Sequence, residues 1–243
     1  MRTINFAKRN LKELIRDPLS LVFAIILPLF LLFIFQQFNI PSDSFKLENF
    51  TPGMIVFGFS FIALFTATLV ARDRTTSLLI RLGISPMKSI EYILGYILAL
   101  IPIIVVQNIL FFAVAVIMGM KFSIYIIWAS VASWIVAILF IAIGILFGSL
   151  LTEKAASGIS SVVVQFVCFT SGMYFPIELV GDVYRRICEY LPFESCVTIL
   201  KGILNNNFTS ISIRNIIVFA VYTITILFIS VIAFKKKMVS DNK

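Results

Sequence analysis

The chain reads as long apolar stretches separated by short polar breaks. Strands of a membrane barrel would alternate apolar and polar positions over about ten residues. These stretches do not alternate, and each reaches the roughly 20 apolar residues that a helix needs to cross the hydrocarbon layer. The pattern predicts six spans, at 19–38, 52–71, 92–119, 123–151, 156–176 and 215–234. The third and fourth sit in uncharged runs of 29 and 31 residues, Tyr92–Met120 and Phe122–Thr152. Pro28 and Pro102 fall inside spans, where each removes a helix hydrogen bond and predicts a kink.

The polar breaks carry patterns of their own. In residues 1–17, Ile4, Ala7, Leu11, Leu14 and Ile15 recur at helical spacing, with Arg2, Lys8, Arg9, Lys12, Glu13 and Arg16 mostly elsewhere. That predicts an amphipathic helix lying in the headgroup layer, its basic side chains toward anionic lipid. Asp17-Pro18 ends it and starts the first span. Between the second and third spans, Leu78, Leu79 and Leu82 make a short apolar face, with Arg74 and Arg81 beside it. Gly83 and Pro86 close this segment. It predicts a short helix parallel to the membrane at 73–87, with an adhesive face and basic edges: a docking element. In the long break after the fifth span, Val180, Tyr184, Ile187 and Leu191 share one face, Pro192 interrupts, and Val197, Leu200 and Leu204 resume. Two short amphipathic helices are expected within 177–205, lying on or re-entering the outer leaflet.

Composition sharpens the class. Of 243 residues, 60% are hydrophobic and only 13% charged, with 25 phenylalanines. A soluble domain has about 25% charged residues, so a soluble domain and a disordered chain are both excluded. Net charge is +8, which in a membrane chain speaks of orientation rather than nucleic acid. With the N-terminus inside, 14 of the 20 basic residues fall on inner segments, among them Lys235, Lys236 and Lys237 after the last span. The positive-inside bias therefore predicts both termini in the cytoplasm and a multi-pass protein of the cytoplasmic membrane. The apolar run after the basic start is too long for a signal-peptide core.

Catalytic chemistry is missing from the sequence. No histidine occurs, no Gly-Lys dipeptide that a phosphate-cradling loop would need, and no GxSxG or HExxH. Cys168, Cys188 and Cys196 have neither redox nor zinc spacing; free thiols are favoured over a Cys188–Cys196 bridge. No Asp, Glu, Lys or Arg lies deep within a span, which disfavours an ion-coupled carrier. Amides are costly in lipid unless satisfied, so Gln107, Asn108 and Gln165, with Thr170, are the candidates for a substrate path. Gly144-Ile-Leu-Phe-Gly148 permits close helix approach, read here as packing within the subunit.

A membrane body with a docking helix and no energy source of its own suggests a permease driven by a separate ATPase. The residues resemble the type-2 ABC exporter permeases. Asp73-Arg74-Thr75-Thr76 with Leu78-Leu79, then Ser85-Pro86 and Glu91-Tyr-Ile-Leu-Gly95, is similar to the family's coupling segment, although Thr75 stands where glycine is common. Ser171-Gly172-Met-Tyr-Phe-Pro176 resembles the family's step into outer re-entrant helices, with Leu191-Pro192-Phe193 as the later proline element and Gly181 near where a second proline is common. The resemblance implies one transmembrane domain over 1–243. It implies a dimer with a second copy or a sister permease, and an ABC ATPase subunit that supplies ATP and magnesium. That ATPase would grip 73–87 through Asp73, Arg74 and Arg81 as charged contacts and Leu78 and Leu82 as apolar anchors. The implied cargo is an amphipathic drug or antimicrobial peptide. A polysaccharide or glycolipid cargo, or a scaffold or immunity protein that transports nothing, are the alternatives.

Overall fold

A computed structural model describes residues 2–38, 42–75, 88–173 and 181–240. Its elements are α1 (Arg2–Ile15), α2 (Pro18–Leu21), a π-helical turn (Val22–Ile26), α3 (Leu27–Gln37), α4 (Leu47–Thr75), α5 (Ser89–Ile117), α6 (Tyr125–Leu150), α7 (Glu153–Thr170), α8 (Asp182–Tyr190), α9 (Pro192–Leu204) and α10 (Ile213–Ser240). The described residues form helices and turns without strands. Among the described residues, four helices are long and apolar enough to cross a membrane: α4, α5, α6 and α10. The first predicted span is broken into α2, the π turn and α3, with Val22–Gln37 as a shorter apolar run. The fifth, α7, has only 18 residues.

The π turn has a local cause. Pro28 has no N–H to give the carbonyl of Ala24, one helical turn back, and the wider turn Val22–Ile26 directly precedes it. A second departure concerns α4. Pro52 does not open the helix, which starts at Leu47 and carries Pro52 inside. The extra turn is held by an aromatic cluster: the Phe50 ring lies 5.4 Å from both Phe35 and Phe45. The amides of Asn49 and Phe50 both bond the Lys46 carbonyl.

α4 is the central strut, with α3, α5, α6, α7 and α9 packed on it. Its tightest neighbour is α6. A Cβ on Gly144 would stand 2.5 Å from the Ala63 carbonyl oxygen, and one on Gly148 2.6 Å from that of Ala67. The GxxxG pair thus lets two backbones touch within one protomer. α10 lies against α6 and α9, and most of its side chains face outward.

Two ends of the bundle can be told apart. α1 packs on α5, and Phe234 near the end of α10 contacts Tyr92 and Tyr96 of α5; the basic Lys235–Lys237 run therefore lies at the α1 end. The opposite end holds α8 and α9. There Asn205 donates to Asn49 at the start of α4 (3.0 Å). Val197, Leu200 and Leu204 are buried as the spacing predicts, whereas Ile187 is exposed and Cys188 takes the buried position on α8.

Candidate functional site

At the α1 end the last turn of α4 is bolted to three other helices. Asp73 is wholly buried. Arg9 Nη1 lies 2.7 Å from each of its carboxylate oxygens. The Tyr96 hydroxyl, from α5, donates to Oδ2 at 2.9 Å. Arg9 Nη2 reaches Glu13 on its own helix at 2.7 Å, and Arg72 approaches the other Glu13 oxygen at 3.1 Å. A buried carboxylate needs this kind of pairing, because an unpaired charge there is strongly unfavourable.

Apolar contacts set the helix that delivers Arg9. Phe6 meets Tyr92 and Tyr96 edge to face, with centroids 5.4 and 5.1 Å away. It rests over Gly95, where a Cβ would stand 2.5 Å from the Phe6 ring. Tyr92, Gly95 and Tyr96 are three and four residues apart, so they form one stripe of α5.

Arg74 turns the other way. Its guanidinium donates to the Ser149 carbonyl and to the Leu151 carbonyl (2.9 Å), satisfying groups at the C-terminal end of α6. Of the three charged residues read as docking contacts, Asp73 and Arg74 are therefore engaged inside the protomer. Leu78, Arg81 and Leu82 lie outside the described residues. Arg9, Glu13, Arg72, Tyr96 and Phe6 were not singled out by sequence. The signals were an Arg and a Glu four apart on α1 and the Tyr-Gly-Tyr stripe.

The structure separates the amides. Gln107 is buried on α5 and donates to the Ile55 carbonyl at 3.4 Å; a Cβ on Gly58 would collide with its Nε2 at 2.1 Å. Asn108 donates to Ser133 Oγ at 2.6 Å. Both tie α5 to its neighbours and are buried between helices of one protomer. Thr170 donates to the Phe166 carbonyl at 2.6 Å. Gln165 alone is exposed, on a face of α7 shared with Ser161 and Gly158; a Cβ on Gly158 would meet nothing.

The opposite end contains a polar cavity of about 300 Å³, lined by α8, α9, the start of α10 and Ser171-Gly172. Glu189 accepts from Arg185 (2.9 Å) and Arg214 (2.6 Å), which hold its carboxyl below the usual range, the Arg185 hydrogen bond leading. Burial pushes Glu194 up, opposed by a hydrogen bond from Thr198 at 2.8 Å. The three cysteines are free thiols, and burial raises Cys188 and Cys196.

Residues 3–205 match the family described as ABC-2 type transporter. One relative, from Bacillus subtilis (strain 168), is named "Putative transport permease YvfS"; it is 24% identical over 192 residues, which cover 75% of this chain and 77% of that protein.

Proposed function

Since the chain belongs to the ABC-2 type transporter family, we propose that it is the permease subunit of an ABC exporter, moving an amphipathic compound outward and powered by a separate ATPase that binds ATP and magnesium. Six spans complete this reading, with α2–α3 as the first and α7 as the fifth, and α8–α9 as re-entrant helices. The basic α1 and Lys235–Lys237 at one end of the bundle support a cytoplasmic location for both termini.

The observation that carries the proposal is the joint at the end of α4. The proposed coupling segment begins there, at Asp73. A force on 76–87 would reach α1 and α5 through Asp73, and α6 through Arg74. On this reading Asp73 and Arg74 transmit the force, while Leu78, Arg81 and Leu82 make the contact. The exposed Gln165 face of α7 supports a second permease copy across a cargo path. An amide facing lipid is unfavourable, and the small side chains beside it allow close approach.

The test is a mild-detergent pull-down of the tagged chain from its host, comparing wild type with Leu78→Asp/Arg81→Glu. An ATPase recovered with wild type and lost with the variant is the expected result. Recovery of no ATPase with either chain would remove the energy source and favour a scaffold.

A further inference from the structure

The structure divides α1 into three faces, where the sequence pattern gave two. Phe6, Ala7, Asn10 and Leu14 are buried against the bundle. Ile4 and Ile15 remain 53% and 57% exposed, and this apolar surface continues through Leu19, Val22, Phe23 and Ile26. The third face carries Asn5, Lys8, Lys12 and Arg16, which with Arg9 and Glu13 bound a shallow, open groove between side chains of this one segment.

The charges on that third face differ in kind. Glu13 is engaged by Arg9 and Arg72, and Arg9 by Asp73. Lys8, Lys12 and Arg16 are exposed and make no ion pair among the described residues. They recur every four residues, so they form a row about 12 Å long at 1.5 Å per residue. Three positive charges in a row, uncompensated, call for an anionic occupant. The row's neighbour identifies which one. It runs alongside the exposed apolar surface of Ile4, Ile15 and Leu19, as basic side chains do at headgroup depth beside acyl chains.

We infer that the groove of Asn5, Lys8, Lys12 and Arg16 is a binding site for the phosphate headgroups of anionic phospholipid. Each basic residue near an anionic surface is worth about fivefold in affinity, and three about a hundredfold. Because Arg9 and Glu13 clamp α1 to Asp73 and Arg72, a lipid held in this groove sits on the helix that is tied to the end of α4.

The test uses the full chain alone, reconstituted in nanodiscs of phosphatidylcholine with and without phosphatidylglycerol. Native mass spectrometry then counts the lipids retained on release. Wild type is expected to retain phosphatidylglycerol over phosphatidylcholine, less so as salt rises. Lys8→Gln/Lys12→Gln/Arg16→Gln should lose most of that preference, Lys12→Gln alone about fivefold of it, and Lys8→Arg/Lys12→Arg should keep it. The single and charge-preserving variants decide the matter if the triple variant does not fold. A wild type without preference, or a triple variant that keeps it, overturns the site. So does a neutral row that leaves lipid retention intact but loses a co-purifying protein, which would assign the face to that protein. No ATPase or cargo enters the lipid measurement, so its failure leaves the transport reading where it stands.

Discussion

Replacing Asp73 tests whether the joint at the end of α4 is a coupled unit. Asp73→Asn keeps the shape and an acceptor for Tyr96 but removes the charge facing Arg9. Two unit charges about 3–4 Å apart interact by about 4 kcal/mol at an effective dielectric of 20. Arg9 is a third exposed, with 36% of its side chain in solvent, and retains Glu13, so the net loss should be about 2 kcal/mol. Asp73→Ala also orphans the buried Tyr96 hydroxyl, at a further cost of about 1–3 kcal/mol. Tyr96→Phe loses only one bond to a charged acceptor, about 1.5 kcal/mol. The expected order of destabilisation is thus Asp73→Ala, Asp73→Asn, Tyr96→Phe. The assay is equilibrium unfolding in mixed micelles, run as a double-mutant cycle of Asp73→Asn with Arg9→Gln. A coupling energy of about 1–2 kcal/mol is expected for groups in direct contact. If the two substitutions add to within about 0.5 kcal/mol, the residues are energetically independent and the joint as described does not exist.

Three further outcomes follow from the same geometry. Arg74→Lys should cost about 1–2 kcal/mol in the same unfolding assay, since one ammonium cannot reproduce a fork reaching two carbonyls; a neutral result would mean that the α6 end is capped by other groups. Gly148→Ala should destabilise by about 1–3 kcal/mol, because its methyl would stand 2.6 Å from the Ala67 oxygen and α4 and α6 would have to part; unchanged stability would contradict the backbone contact. Glu194 binds its proton more tightly folded than unfolded, since burial raises its carboxyl. Stability should therefore fall as pH rises from the ordinary carboxylate value toward the raised one, and Glu194→Gln should flatten that fall. A variant with the same pH profile as wild type would refute the assignment.

The apolar runs made the helical architecture legible, because their length and lack of alternation exclude strands. α1 was legible from its spacing, as were the packing of Gly144 and Gly148 and the buried Val197–Leu200–Leu204 stripe. The partners of the charges were not. Arg9 and Lys8 are neighbours of like sign, and only the pose of α1, set by Phe6 on the Tyr92–Gly95–Tyr96 stripe, sends one inward to Asp73 and leaves the other in solvent. For the same reason Asp73 and Arg74 read as docking contacts for a partner. The amide bonds of Gln107 and Asn108 depend on which helix lies alongside, as does the exposure of Gln165. The early start of α4 came from phenylalanines on three different segments, which a span read locally as 52–71 could not weigh.

The glycine seam between α4 and α6 also says where nothing can travel. Two backbones that leave no room for a methyl group leave none for an acyl chain, a water file or a cargo molecule. Any passage through a transporter containing this chain must go around that pair. Along this seam α4 and α6 behave as one piece, so a displacement of one carries the other.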